Sequence, residues 1–481
     1  MKKIIIVASI FLVSGITQAQ NFVGDWNGVL NISGAQNIKL RIVLHISEKA
    51  GVYTSTMDSP DQGAKGMLTD KTVVLDNAIT IEASKLAVKY VGTYQADSNR
   101  ITGTFSQGPG SIPLTLYKVT SSNNSGSNSF PGAKTVKRTQ DPSDISYLQE
   151  EVTFNNTKAN VKLAATLTMP KDKGATKKLV ILISGSGPQN RNEEVKQFNH
   201  RPFLVWSDWL TRQGIAVLRY DDRGVGKSTG NFGNSTSADF ADDVRAAIAY
   251  VKSRSDLAKL SIGLMGHSEG GMIAPMVAAD DHTIGFVVLL AAPGIPTTEL
   301  LVIQSADQMR LLGAVDSVVE VNAASNGKLY QLIKSYSNLG VDELKPKLDS
   351  ALTADLSSRG ADVISKAEID KQVAANISQL SGPWFRYFIS FDPTPYLSKL
   401  KCPVLALNGT LDMQVSYKEN LEGISNSLKK AGNKRFEVLP LTGLNHLFQT
   451  AKTGGVIEYG EIEETVSPIV LAKVTDWINK R

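Results

Sequence analysis

Between positions 38 and 47 every second residue is apolar: Ile38, Leu40, Ile42, Leu44 and Ile46, with Lys39, Arg41, Val43, His45 and Ser47 between them. A period of two predicts a strand with one buried face. Similar short runs follow at Val52-Tyr53-Thr54, Val73-Val74-Leu75, Ile79-Thr80-Ile81, Ala87-Val88-Lys89-Tyr90, Ile101 to Phe105 and Leu114 to Tyr117. Turn residues such as Asp76-Asn77 and Asp97-Ser98-Asn99 separate them. Short strands at regular spacing predict a small antiparallel β-barrel or sandwich over residues 20–119, with Trp26 plugging one end. His45 reads as part of a strand surface.

The pattern then lapses. Ser121-Ser122-Asn123-Asn124-Ser125-Gly126-Ser127-Asn128-Ser129 has too little apolar surface to fold, so residues 120–140 are expected to be a flexible linker. Its basic residues Lys134, Lys137 and Arg138 read as a solvated tether.

From 141 to 481 the period changes again. Strand-like Glu151 to Phe154 and Val161 to Thr168 precede largely apolar runs at Leu179 to Ile183, Ile215 to Tyr220, Leu260 to Met265, Gly285 to Leu290, Val404 to Gly409 and Phe436 to Leu439. Helical patterns lie among them at Phe203 to Gln213, Phe240 to Ser253 and Val466 to Asn479. Runs without alternation are strands buried on both faces, and βα alternation predicts a mostly parallel sheet covered by helices. Residues 295–395 interrupt this order with Leu300, Leu301, Met309, Leu311, Leu312, Leu329 and Leu332 at helical spacing, which predicts an inserted helical cap. Trp384, Phe385, Tyr387 and Phe388 belong either to the cap core or to the wall of an acyl pocket.

Composition narrows the function. Of 481 residues 20% are charged, and the net charge is +5. Residues 1–19 read as a signal peptide: Lys2 and Lys3, the apolar Ile4 to Val13, then Thr17-Gln18-Ala19 before Gln20. Cleavage removes two positive charges and leaves +3, a balance that suggests neither nucleic acid nor an anionic membrane as partner. Position 20 is not cysteine, so no lipid anchor is expected, and no later run is long and apolar enough to span a bilayer. The expectation is an exported protein, periplasmic or secreted. Its one cysteine, Cys402, reads as core packing at a strand start.

One stretch carries chemistry. Gly266-His267-Ser268-Glu269-Gly270 sits between the apolar run ending at Met265 and the helical run Gly271 to Ala279. Gly-x-Ser-x-Gly at a strand-to-helix turn is a nucleophile elbow, which exposes the serine hydroxyl above the sheet. A hydroxyl needs a base. Of five histidines, His446 follows the last strand, where this architecture presents its base. His200 is the fallback, at the rim of the site; His267 is expected to point away, and His282 to be exposed. Asp412, just past the strand ending at Gly409, is placed to orient the base, or else caps a turn. The oxyanion of the tetrahedral intermediate needs two N–H donors: the backbone of Glu269 and that of Ser186, in the glycine-rich turn Ser184 to Pro188.

Gly224-Val225-Gly226-Lys227-Ser228 suggests a phosphate loop, but Asp221 stands where that pattern requires glycine. Asp221, Asp222 and Arg223 are expected instead to tie down their own loop. No metal-ligand spacing and no dinucleotide fingerprint is present, so neither metal nor cofactor is expected.

Ser184-Gly185-Ser186-Gly187-Pro188-Gln189-Asn190-Arg191, Arg219-Tyr220-Asp221-Asp222-Arg223-Gly224, the elbow, Asp412 and His446 together make the region from about 148 to 481 resemble the α/β-hydrolase superfamily. The chain is most similar to exported bacterial esterases of the serine-aminopeptidase-like branch; related loops often have Asp where Asn190 stands. The order Ser268, Asp412, His446 is that of the superfamily. The resemblance implies hydrolysis of short- to medium-chain carboxylic esters through an acyl-serine intermediate. Alternatives are a serine peptidase, with Glu461, Glu463 and Glu464 considered for a charged peptide end, an acyltransferase, and a non-enzymatic protein whose β domain binds glycans or peptides. The partner of the β domain stays open.

Overall fold

The computed structural model describes residues 22–32, 38–49, 51–60, 64–83, 88–107, 110–119, 137–172, 174–311, 314–360, 373–374, 377 and 380–481. The expected leader, residues 1–19, and the serine-rich run 121–129 lie outside them. The chain divides into two compact units, Met1–Ala133 and Lys134–Arg481.

The first unit is one nine-stranded antiparallel sheet: β1 (Gly24–Ile32), β2 (Ile38–Lys49), β3 (Val52–Ser59), β4 (Ala64–Leu68), β5 (Lys71–Leu75), β6 (Ala78–Ala83), β7 (Val88–Gln95), β8 (Arg100–Gln107) and β9 (Gly110–Lys118). Their order is β4-β3-β2-β1-β9-β8-β7-β6-β5. The curled sheet buries the alternating set anticipated from the sequence, with Leu40, Ile42, Leu44 and Ile46 inward. Trp26 is fully buried, donates its indole N–H to the Phe22 carbonyl (2.7 Å) and meets the Tyr94 ring edge-on. Tyr90 shows why two facing glycines stand in β7 and β8. Gly92 pairs with Gly103, and a Cβ at either position would fall within 3 Å of the Tyr90 side chain. The Tyr90 hydroxyl donates to the carbonyls of Leu114 and Ile101. Strands β1 and β4 were not anticipated; Gly24, Asn27, Gly28 and Gly66 blur their alternation. His45 bridges Asp25 (2.7 Å) and Asp58 (3.1 Å) on this surface, and the two carboxylates outweigh partial burial in raising its pKa.

The second unit is an eight-stranded sheet: β10 (Leu148–Asn156), β11 (Val161–Met169), β12 (Lys178–Ile183), β13 (Ala216–Tyr220), β14 (Ser261–His267), β15 (Phe286–Leu290), β16 (Val404–Gly409) and β17 (Phe436–Leu441). The order is β10-β11-β13-β12-β14-β15-β16-β17. The first two strands form an antiparallel hairpin, β11 joins β13 antiparallel, and every later pair is parallel. Alternate residues of one strand feed opposite cores: Leu179, Ile181 and Ile183 join one cluster, Val180 and Leu182 the other. Helices α2 (Ser237–Ser253) and α3 (Glu269–Ala278) pack on the first face; α1 (Pro202–Arg212) covers the second. A capping box between Thr236 and Asp239 starts α2.

Between β15 and β16 lie α4 (Thr297–Leu311), α5 (Asp316–Ser335), α6 (Val341–Gly360), α7 (Pro383–Ile389) and α8 (Thr394–Leu397). They have a core of their own, including Ile333, Leu344, Leu348, Phe385 and Ile389. Helices α9 (Tyr417–Lys430) and α10 (Pro468–Asn479) complete the two layers. Among the described residues no helix is long and apolar enough to cross a membrane.

The expected tether is corrected at one residue. Arg138 is buried, and its guanidinium donates to the backbone carbonyls of Phe198 (2.8 Å), Asn199 (3.2 Å), Tyr459 (3.0 Å), Glu464 (3.2 Å) and Ile462. Gln140 accepts from the N–H groups of Thr465 and Val466 and donates to the Val466 carbonyl. Lys137 is exposed, as a tether residue would be. Replacing Arg138 by alanine strands several buried carbonyls, each costing about 1–3 kcal/mol when unpaired. Arg138→Ala is therefore expected to lower the urea midpoint of the second unit, whereas Lys137→Ala leaves it unchanged.

Candidate active site

The elbow is held by close approach. A Cβ on Gly266 would come within 2.0 Å of the Gly270 carbonyl, and one on Gly270 within 2.1 Å of the Ile183 carbonyl. Ser268 takes φ 52°, ψ −117°, which costs an L-residue about 1–3 kcal/mol and persists only where the surroundings enforce it. Here the Ser268 N–H is tied to the Leu290 carbonyl at 2.8 Å, and β14 and α3 fix both sides. The side chain is thereby turned into a cavity of about 380 Å³.

That cavity is lined by Ser268, His446, Glu269 and Ser186 together with apolar residues. The Nδ1 of His446 lies 2.8 Å from Asp412 Oδ2, and both side chains are buried. The other carboxylate oxygen of Asp412 accepts the N–H groups of Gln414 (2.8 Å) and Val415 (2.9 Å). The contact with Oδ2 turns Nδ1 of His446 toward the carboxylate and leaves Nε2 as the ring nitrogen not engaged by Asp412. Asn445 shapes the loop bearing His446 by accepting from the N–H groups of Leu447 and Gln449. The Ser268 hydroxyl makes no hydrogen bond among the described residues; such contacts commonly tighten only when substrate binds.

Among the described residues no turn or loop hydrogen bond takes up the N–H groups of Ser186 and Glu269. That of Gly185, one residue earlier, is committed to Glu193 Oε1 (2.7 Å). Asp222 pins the same loop, accepting from the Ser184 hydroxyl and the Gln189 N–H at 3.0 Å each. Asp221 fills the cradle that suggested a phosphate loop. It accepts the Lys227 N–H and pairs with the Arg191 guanidinium, and a Cβ on Gly226 would lie 2.5 Å from its carboxylate. Arg223 grips Asp243 through two hydrogen bonds.

The Glu269 side chain is also buried. It accepts from the Ser237 hydroxyl (2.6 Å) and from the indole N–H of Trp384 (2.9 and 3.1 Å), and Ser186 is a further hydrogen-bond partner. Burial nevertheless raises its pKa above the usual glutamate value, against those donors. Trp384 and Phe388, one helical turn apart on α7, stack on each other and line the cavity, while Phe385 joins the cap core. Leu300 and Leu301 on α4 and Phe198, Val456 and Tyr459 complete its apolar walls.

Two histidines differ from expectation. His200 does not rim the cavity: it is fully buried, with Nε2 on the Thr465 carbonyl (2.9 Å) and Nδ1 unpartnered. His267 does not point away, because its ring packs 4.8 Å from that of His446. Its Nδ1 faces Glu193 Oε1 (2.9 Å) and its Nε2 the carbonyl of His446 (3.0 Å). His282 is exposed, and Cys402 is half-buried, its thiol pushed up to about 11 by burial. Glu193 was not singled out from the sequence; it stands in a run of polar residues, Asn190 to Glu194, that reads as a solvated loop. Among the described residues no group of three or more His, Cys, Asp or Glu could hold a metal ion.

The sequence model of a family described as serine aminopeptidase, S33, matches residues 203–448, just over half of the chain. The protein belongs to that family and is an α/β-hydrolase. No curated protein matches the sequence. Among solved structures, this hydrolase is similar to the Pyrococcus furiosus esterase Pf2001, with 17% identity and TM-score 0.41 over 70% of this chain and 93% of that one. It is also similar to Est1E from Butyrivibrio proteoclasticus with bound ferulic acid (20%, 0.39, over 68% and 98%) and to the α/β-hydrolase GrgF from Penicillium (16%, 0.41, over 69% and 98%).

Burial pushes the His200 pKa down to about 3. An unfolded histidine titrates near 6.5, so the unfolded chain takes up this proton first. The contribution of His200 to stability is thus complete above pH 6.5 and is lost as pH falls from there toward 3. His200→Gln is expected to flatten this part of the stability profile, read as urea midpoints at pH 7 and pH 5.

Proposed function

We propose that this α/β-hydrolase is an exported carboxylic-ester hydrolase working through an acyl-serine intermediate. The observation that carries the reading is the strained Ser268 presented to the same cavity as the buried His446–Asp412 pair. Ser268 Oγ attacks the acyl carbon while His446 Nε2 takes its proton, and Asp412 stabilises the resulting imidazolium. The oxyanion is received by the N–H groups of Glu269 and Ser186. Collapse of the intermediate breaks the ester bond, and His446 returns the proton to the departing alcohol. Water, deprotonated by the same histidine, then releases the acid and restores the serine.

A cavity with apolar Trp384, Phe388, Leu300 and Leu301 on its cap side suits a short or medium acyl chain. Peptidase activity at a charged amino end would need an available carboxylate. Glu269 and Glu193 are both engaged by internal donors, and Glu461, Glu463 and Glu464 do not line the cavity. Those facts favour ester over aminoacyl substrates. The export reading rests on the leader-like residues 1–19.

Purified protein lacking the leader is expected to hydrolyse p-nitrophenyl esters and to leave aminoacyl-anilides intact, with an optimum within an acyl-length series; the reverse preference would make it a peptidase. Ser268→Ala should remove several orders of magnitude of kcat. Asp412→Asn should cost roughly 10⁴-fold in kcat by holding the base in the wrong tautomer. Both losses are read with the same chromogenic ester.

A further inference from the structure

Three features at the wall of the cavity converge on one side chain outside the proposed triad. A single oxygen, Glu193 Oε1, accepts both the N–H of Gly185, at the head of the oxyanion loop, and the Nδ1–H of His267. The opposite nitrogen of His267 reaches the backbone carbonyl of His446. Glu193 itself sits at φ 51°, a left-handed conformation unfavourable to glutamate. The chain of contacts thus runs from the loop expected to receive the oxyanion, through a buried carboxylate and a buried imidazole, to the loop bearing the base.

Both nitrogens of His267 face acceptors, a carboxylate on one side and a carbonyl on the other. A neutral imidazole has one N–H and satisfies only one of them; the doubly protonated ring satisfies both. We propose that Glu193 and His267 form a buried carboxylate–imidazolium clamp that fixes the separation between the Ser186 oxyanion loop and His446, making both of them positioning residues for the ester hydrolysis proposed above. Neither touches the reacting atoms in this role. They act through Gly185 and through the His446 carbonyl, and the inference rests on the triad reading.

The electrostatics agree with the geometry. Burial pulls the His267 pKa down, but the Glu193 carboxylate, its hydrogen bond and the His446 carbonyl, with Asp412 beyond, outweigh burial and hold it above the ordinary histidine value. The other charged or titratable groups facing it are the His446 ring, tilted 45° with its centroid at 4.8 Å, and His200.

The test uses the mature full chain labelled with ¹⁵N at histidine, with Glu193→Gln, His267→Gln and the double variant. Across a pH titration the His267 signals are expected to keep both ring nitrogens protonated to a higher pH in the parent protein than in Glu193→Gln. On a chromogenic ester each single variant should lose roughly 100-fold in kcat, the scale set by a misplacement of about 1 Å. KM should stay within a few-fold, and the double variant should lose no more than the worse single one. A purely structural pair would instead lower the melting temperature with kcat intact. Variants keeping kcat within twofold of an active parent, or a His267 ring that titrates alike in the parent and in Glu193→Gln, overturn the clamp alone. A parent that neither turns over esters nor is labelled at Ser268 by a fluorophosphonate overturns the triad reading and the clamp together.

Discussion

The α/β unit is built around an approach of backbone to backbone that leaves no room for a single carbon. At Gly270 the first turn of α3 lies against the end of β12, and at Gly266 the last residues of β14 lie against that same turn. With both contacts satisfied, the residue between them cannot relax, and Ser268 is driven into a conformation it would not choose. Central strands buried on both faces supply the rigidity that keeps the strain in place. Elements farther away, including the hairpin β10–β11 and the outer helices, serve the site by keeping those central strands immobile.

Polar groups around the cavity are arranged by the same economy of space. Asp412 is surrounded by donors before it meets His446, so its side chain is held by the backbone as well as by the imidazole. Asp222 and Glu193 each grip the loop between β12 and α1, one through Ser184 and Gln189, the other through Gly185. The N–H groups they leave unclaimed are the ones the proposed chemistry needs. The loop, which carries Gly185 and Gly187, stays in one shape because a carboxylate of its own, Glu193, and one from the segment after β13, Asp222, hold it.

Much of this was readable in the residues, for physical reasons that also explain the failures. Unbroken apolar runs such as Leu179 to Ile183 announce strands buried on two faces, and the elbow, Asp412 and His446 carry spacing rules of their own. The class of fold and the superfamily followed from those signals. Strand β1 hid behind Asn27 and Gly28, the second of which lets β9 approach: a Cβ there would lie 2.4 Å from the Thr115 carbonyl. Arg138 looked like part of a basic tether because nothing local reveals that carbonyls some 60 and 320 residues away converge on it. His267 was misjudged because the divergence of side chains at an elbow says nothing about where a neighbouring loop returns. Glu193 was invisible among five consecutive polar residues; its role depends on contacts made in three dimensions.

The bond from Trp384 to Glu269 joins the cap to the residue directly after the elbow serine. Helix α7 cannot swing outward without removing an indole donor from a carboxylate sealed away from water. Opening of the roof is therefore felt electrostatically at the floor, one peptide unit from Ser268. Passage of a molecule into the chamber and the local field at its base are two readings of the same displacement.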